Sequence, residues 1–260
     1  MNKETTDIIN KKLKELYLNN SKHSNYQILS QRLSPLVNDD DFQIKTRQEG
    51  ARLSYIIDNL DIRDKTILDI GGNSGFFTFE LIEAGAKKVH YCEGNPVHAE
   101  FVELASKALS VENKIEITNQ YFDFSHNHSR TYDITLCLNV LHHIGDDYGE
   151  KELSIEKAKK NIISQLCTLA SISDYVAFQL GYNWKGNTNL PLFHGGTKKE
   201  MIDFLRDGIK DYFTILSIGV AGKVGDIITY YDLNDENIIR MDHLGEFLNR
   251  PLFILKSKLY

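Results

Sequence analysis

Thr66-Ile67-Leu68-Asp69-Ile70-Gly71-Gly72-Asn73-Ser74-Gly75 is the stretch on which the reading of this chain turns, with its companion Val89-His90-Tyr91-Cys92-Glu93-Gly94-Asn95-Pro96. The first is a short apolar run ending in a glycine cluster, and the apolar residues from Phe76 to Ile82 carry on as the start of a helix. A strand, a glycine turn and a helix in succession make a nucleotide-type binding unit. Glycines at 71, 72 and 75 permit left-handed backbone and remove the Cβ atoms that would hold a ligand off the main chain. Asp69 puts a carboxylate at the strand's C-terminal edge. Glu93 ends a second strand roughly twenty residues further on, the offset at which an acidic side chain accepts from both hydroxyls of a ribose.

These residues resemble class I S-adenosylmethionine-dependent methyltransferases. Asp69-Ile70-Gly71-Gly72-Asn73-Ser74-Gly75 is similar to the family's acidic-x-Gly-x-Gly-x-Gly motif, and Glu93 matches the acid that closes its second strand. Tyr132 to Ile144, with Asn139, His142 and His143 at its end, is similar to the fourth-strand motif, so the resemblance runs in order from Thr66 to Leu180. Asn73 departs from the pattern by replacing the middle glycine, and asparagine is the non-glycine residue that best tolerates left-handed backbone.

The resemblance implies S-adenosyl-L-methionine as cofactor, held by Asp69, Gly71, Gly72, Asn73, Gly75, Glu93, Gly94 and Asn139. It also implies Asp123 as acceptor for the adenine amino group, with Phe122 or Phe124 covering the ring. In the family the helix before the first strand often lies over the cofactor pocket, which places Arg52 or Arg47 to meet the methionine carboxylate or an anionic substrate. The implied fold is α/β: a mostly parallel, seven-stranded Rossmann-like sheet with helices on both faces and an antiparallel last strand, which Phe253-Ile254-Leu255 resembles. Residues 1–60 read as an N-terminal helical extension and 61–260 as the catalytic domain.

The rival for the glycine stretch is a dinucleotide-binding oxidoreductase. Its Gly-x-Gly-x-x-Gly fingerprint, counted from Gly71, meets Asn73 where the second glycine belongs, and the chain has no Tyr-x-x-x-Lys pair for hydride chemistry. A glycine turn that merely tightens an α/β unit explains Gly71 and Gly75, but not Asp69, Glu93 and the later motif together.

Of the 260 residues 42% are apolar and 25% charged, a composition of soluble globular chains, and no apolar run approaches the ~18 residues of a membrane span. The first twenty residues lack a continuous hydrophobic segment, and Cys92, Cys137 and Cys167 lie in apolar surroundings without metal-ligand spacing. Reduced core cysteines in a cytoplasmic protein are expected, with no metal. A net charge of −6 disfavours nucleic acid as partner but allows a small-molecule or glycan acceptor held by a few local cations; the oligomeric state stays open.

Along the chain, Ile9, Leu13, Leu16 and Tyr17 follow the helical period from Thr5 to Leu18. The lysines of that segment are a solvated face or a dock for an acidic partner. Asp39, Asp40 and Asp41 suit the start of a second helix, expected over Phe42 to Leu60. Asn95-Pro96 caps a helix whose buried stripe is Phe101, Leu104, Ala105 and Ala108. Strands are expected at Lys114 to Thr118, Ile134 to Leu138 and Tyr175 to Leu180, with a helix from Ser154 to Leu169 and loop histidines at His126 and His128. Gly181 to Gly196 breaks all periodicity at a strand's C-terminal edge and holds the chain's one Trp, so it is the expected substrate loop, with Tyr182, Trp184 and Lys185 as contacts. Thr197 to Glu200 is a capping box. Three more strands follow, Tyr212 to Ile218, Ile227 to Tyr231 and Pro251 to Leu255.

Methyl transfer is an in-line displacement, and a hydroxyl acceptor needs a base, whereas a phosphate, carboxylate or amine brings its own lone pair. His143 is the favoured base, with His142 and His194 as the other candidates. Asp146 and Asp147 read as loop acids. The N-terminal extension and glycine-rich loops resemble methyltransferases acting on sugars, which implies O-methylation of a sugar, sugar phosphate or cell-surface polysaccharide precursor. A tRNA-modifying enzyme and a non-catalytic binding subunit on the same fold are the alternatives.

Overall fold

The computed structural model describes residues 3–18, 27–37, 46–124 and 131–259. The expectations for Asp39, Asp40, Asp41, His126 and His128 lie outside the described residues. By its contacts the chain divides into two compact units, one of residues 1–49 and 61–122, the other of residues 50–60 and 123–260.

The first unit carries α1 (Lys3–Leu18), α2 (Ser34–Val37), β1 (Thr66–Ile70), α4 (Phe76–Glu83), β2 (Lys88–Cys92), α5 (Pro96–Ala108) and β3 (Ile115–Thr118). Its strands lie in the order β3-β2-β1, all parallel, with Asp69 opposite Tyr91 and Tyr91 opposite Ile117. Strands covered on both faces need apolar side chains at nearly every position, and Ile67, Leu68, Val89 and Tyr91 are all fully buried. At α5 the Asn95 side chain accepts from the Val97 N–H at 3.0 Å and Pro96 opens the helix, so its start is where the sequence puts it. Phe101 and Ala105 are buried in its stripe, while Leu104 and Ala108 are half-buried.

The second unit carries α3 (Glu49–Asn59), whose first residue belongs to the other unit, and β4 (Tyr132–Leu138), α6 (Ile155–Thr168) and β5 (Ser173–Gln179). After them come α7 (Lys198–Ile209), β6 (Phe213–Val224), β7 (Ile227–Asp232), α8 (Gly245–Leu248) and β8 (Leu252–Ser257). Its strand order is β4-β5-β8-β6-β7; β4 and β5 are parallel, and β8 runs antiparallel to both β5 and β6. The antiparallel last strand is therefore as expected. The described residues form eight strands instead of seven, because β7 folds back on β6 as a hairpin.

Two expected boundaries move, each for a local reason. Phe42 to Leu60 does not run as one helix: α3 begins at Glu49, since Gln48 is left-handed at φ 58° and the Glu49 carboxylate accepts from the Arg47 N–H and from Thr46 Oγ1. The sixth strand runs past Ile218 to Val224. Gly219 is no stop there; it gives the Tyr55 ring of α3 room to lie on the strand, and Tyr55 donates to Asp232 Oδ1 on β7 at 2.6 Å. The capping box at Thr197 and Glu200 forms with both of its hydrogen bonds.

Candidate functional site

At the end of β1 the chain turns through Gly71 at φ 69°, Asn73 at φ 51° and Gly75 at φ 82°, so asparagine takes the left-handed role of the missing middle glycine. Gly72 is needed for a different reason, since a Cβ there would run into the Tyr91 ring and Asp69 Oδ2. The Gly71 N–H donates to the Cys92 carbonyl at 2.8 Å, tying the loop to the end of β2. There the Glu93 carboxylate accepts from the Asn73 N–H at 2.9 Å and from the Asn95 N–H at 2.8 Å, and Tyr91 donates its hydroxyl to the Asn73 carbonyl. The first unit thus brings together Asp69, Gly71, Gly72, Asn73, Gly75, Glu93 and Gly94. Above Gly94 lies the ring of Tyr121, so close that a Cβ at that position would overlap it.

Asp69 is 3% exposed, and its Oδ2 accepts from Thr78 Oγ1 at 2.7 Å. Among the described residues no cation pairs with it. Burial pushes its carboxyl up to about 6, and the neighbouring Glu93 charge pushes the same way against the Thr78 hydrogen bonds. The burial that raises Asp69 also raises Cys92, to about 12, and Cys167, to about 11, so these buried free thiols are inert at neutral pH.

In the second unit Asn139, at φ 63°, ends β4 and sits in a polar network. Its Nδ2 donates to Gln179 Oε1 at 2.8 Å and its Oδ1 accepts from Arg250 Nη1 at 2.7 Å. Arg52 is 4% exposed, with Nη1 3.5 Å from the same Gln179 oxygen, and the guanidinium groups of Arg52 and Arg250 lie 5.1 and 4.8 Å from the Phe247 ring centroid. Burial works to raise the Glu246 carboxyl, but the Arg250 hydrogen bonds, with the charges of Arg250 and Arg240, outweigh it and hold that group below the usual range. Asp123 is exposed and Phe124 is buried, its ring 5.9 Å from that of Tyr148.

A short turn, Leu141–His143, presents the two histidines differently. His142 is 2% exposed and its Nδ1 accepts from the Gly181 N–H at 3.3 Å, which fixes that ring as a packed support. His143 is half-buried with its Nδ1 3.3 Å from Asp147 Oδ2, and its ring centroid lies 4.3 Å from that of His142. The ligand atoms of His143, Asp146 and Asp147 lie within 4.8 Å of one another, so two residues read as loop acids share a place with the candidate base.

The expected substrate loop packs on this turn. Trp184, 5% exposed, donates Nε1–H to the Ile144 carbonyl at 2.7 Å, and Lys185 lies with its Nζ 4.5 Å from the Trp184 ring centroid. Tyr182 is buried, donating its hydroxyl to the Asn249 carbonyl at 2.8 Å while its N–H donates to Glu246. Both aromatic side chains fasten the loop to its neighbours. His194 stands exposed. Arg47 belongs to the first unit, where its backbone N–H is spent on Glu49 and its side chain is half-buried. Thr78, Gln179, Glu246 and Arg250 take part in these arrangements without any local motif to announce them.

No protein-family model matches this sequence, and a search of curated proteins gives no match. Among solved structures, the magnesium protoporphyrin IX methyltransferase ChlM from Synechocystis PCC 6803 with bound S-adenosylhomocysteine superposes with a TM-score of 0.51 at 16% identity, over 97% of each chain. WbdD superposes with a TM-score of 0.56 at 16% identity, over 94% of this chain and 46% of its own. At such identity it is the backbone arrangement that is shared. The chain has the α/β fold of the class I S-adenosylmethionine-dependent methyltransferases.

Proposed function

We propose that the protein is an S-adenosylmethionine-dependent methyltransferase acting on a hydroxyl of a sugar, sugar phosphate or polysaccharide precursor. The observation that carries the cofactor reading is the buried Asp69 carboxylate, beside Glu93 and a left-handed glycine loop, with no cation paired to it among the described residues. A ligand that brings its own positive charge and two ribose hydroxyls fits that donor set. Only the Asp69 charge disfavours the anionic pyrophosphate of a dinucleotide at the same loop.

When bound, S-adenosylmethionine would supply an electrophilic methyl group on a positively charged sulfur. The loop from Gly71 to Gly75 would hold it against the backbone, and the remaining lone pairs of the Glu93 carboxylate would accept from the ribose hydroxyls. His143 is assigned the base. Asp147 lies 3.3 Å from Nδ1 and would favour a proton on that nitrogen, making Nε2 the basic one toward the acceptor. His142, whose Nδ1 accepts from Gly181, holds the turn in place.

The test is label transfer from S-adenosylmethionine to sugars, nucleotide sugars, sugar phosphates and transfer RNA, with and without a chelator. Transfer to a hydroxyl that is lost in His143→Ala and indifferent to chelator supports the reading. Transfer only to RNA, or full activity in His143→Ala, contradicts it. Activity that disappears with chelator reassigns His143, Asp146 and Asp147 to a cation.

A further inference from the structure

Helix α4 begins with a conflict. Its N-cap, Gly75, is left-handed, and a Cβ there would press on Val102 and Phe79, so a glycine is required at a place where a capping side chain is usually needed. No side chain at the N-cap accepts from the first N–H groups. The acceptor comes from 49 residues earlier in the chain: Gln27 Oε1 takes the Phe76 N–H at 3.0 Å and the Ser74 hydroxyl at 3.0 Å. One oxygen thus grips the residues on both sides of Gly75.

The grip is itself held. The Gln27 carbonyl accepts from the Tyr17 hydroxyl at 2.9 Å, and the Tyr17 ring packs 5.7 Å from Phe101 of α5. Further along, the Gln31 N–H donates to Glu80 Oε1 at 2.7 Å and Arg32 pairs with Glu83, while Leu29 and Leu33 are buried. The segment from Gln27 to Leu33 is a strap laid along α4 from its first turn to its last.

We propose that Gln27 is a positioning residue of the cofactor site, through which this strap sets the shape of the glycine loop. The inference rests on the cofactor reading above. Removing the oxygen frees Ser74 and Phe76 at once and lets the last left-handed turn of the loop relax, so cofactor affinity falls along with helix stability.

The experiment compares full-length wild type, Gln27→Ala, Gln27→Glu and Tyr17→Phe by calorimetric titration with S-adenosylhomocysteine, by melting without ligand and by steady-state kinetics. Gln27→Ala is expected to weaken binding about tenfold, the equivalent of one lost cap, and to raise the cofactor KM with little change in kcat. Gln27→Glu keeps an acceptor oxygen and is expected to bind within about threefold of wild type. A Gln27→Ala protein that melts lower but binds as tightly as wild type overturns the proposal and leaves the strap purely structural. Should Gln27→Ala not fold, Tyr17→Phe takes its place: weaker binding supports the proposal and unchanged binding overturns it. Wild type that does not bind S-adenosylhomocysteine overturns the cofactor reading and this inference with it.

Discussion

Thr78 Oγ1 reaches across from α4 to Asp69 Oδ2 at 2.7 Å, and that hydroxyl is the side-chain donor with which the strand's buried carboxylate is provided. The neutral side-chain and backbone donors of Thr78 do not compensate burial, to which the Glu93 charge adds, and the carboxyl rises from 3.8 to about 6. A raised carboxyl favours the protonated form in the folded state. Its contribution to stability is full below the unfolded value of 3.8 and is lost as pH rises through about 6. Asp69→Asn is therefore expected to be more stable than wild type by up to about 3 kcal/mol at pH 8, and nearly equal at pH 4. Urea melts of both proteins across this range check it; parallel stabilities at every pH would mean that the carboxylate is not desolvated. The same variant is expected to lose cofactor affinity, a stability gained at the expense of function.

The two adjacent histidines should separate in mutation. His142→Ala leaves the Gly181 N–H without its acceptor and opens a buried hole, and is expected to cost about 2–4 kcal/mol of stability. His143→Ala is expected to change stability little and to lower turnover by about 10²–10⁴. Melting curves beside single-turnover rates decide it. The reverse pattern would make His142 the reactive ring.

Trp184→Phe keeps an aromatic ring but removes the pyrrole half of the indole and with it the bond to the Ile144 carbonyl. The lost hydrogen bond and the buried space left behind are expected to cost about 2–4 kcal/mol of stability, with a fall in turnover as the turn carrying His143 loosens and S-adenosylhomocysteine affinity unchanged. Unaltered melting and turnover would show that the indole hydrogen bond holds nothing.

The glycine loop was legible because its requirements are local. Left-handed turns at Gly71, Asn73 and Gly75 and an acid at the end of each strand depend on residues adjacent in the chain, and spacing records them. The helix caps at Asn95 and Thr197 were legible for the same reason. Partners distant in sequence leave no such trace: Gln179 and Arg250 for Asn139, and Gln27 for Phe76, meet only in the fold. One hint existed, since a helix that opens on a glycine must take its cap from elsewhere. Gly181 to Gly196, the expected substrate loop, breaks all periodicity, and its packing is not written in that irregularity: Tyr182, Trp184, Leu192 and Phe193 are all buried. Periodicity marks helices and strands; it is blind to a loop that packs its aromatic residues one by one.

The central claim is that Asp69, the glycine loop and Glu93 bind S-adenosylmethionine, and the most direct test is calorimetric titration of S-adenosylhomocysteine into wild type and Glu93→Ala. The account predicts one site per chain in wild type, weakened by about 1.5–3 kcal/mol in the variant through loss of charge-assisted hydrogen bonds to the ribose. No binding to wild type, equal affinity in Glu93→Ala, or tighter binding of a nicotinamide dinucleotide would contradict it.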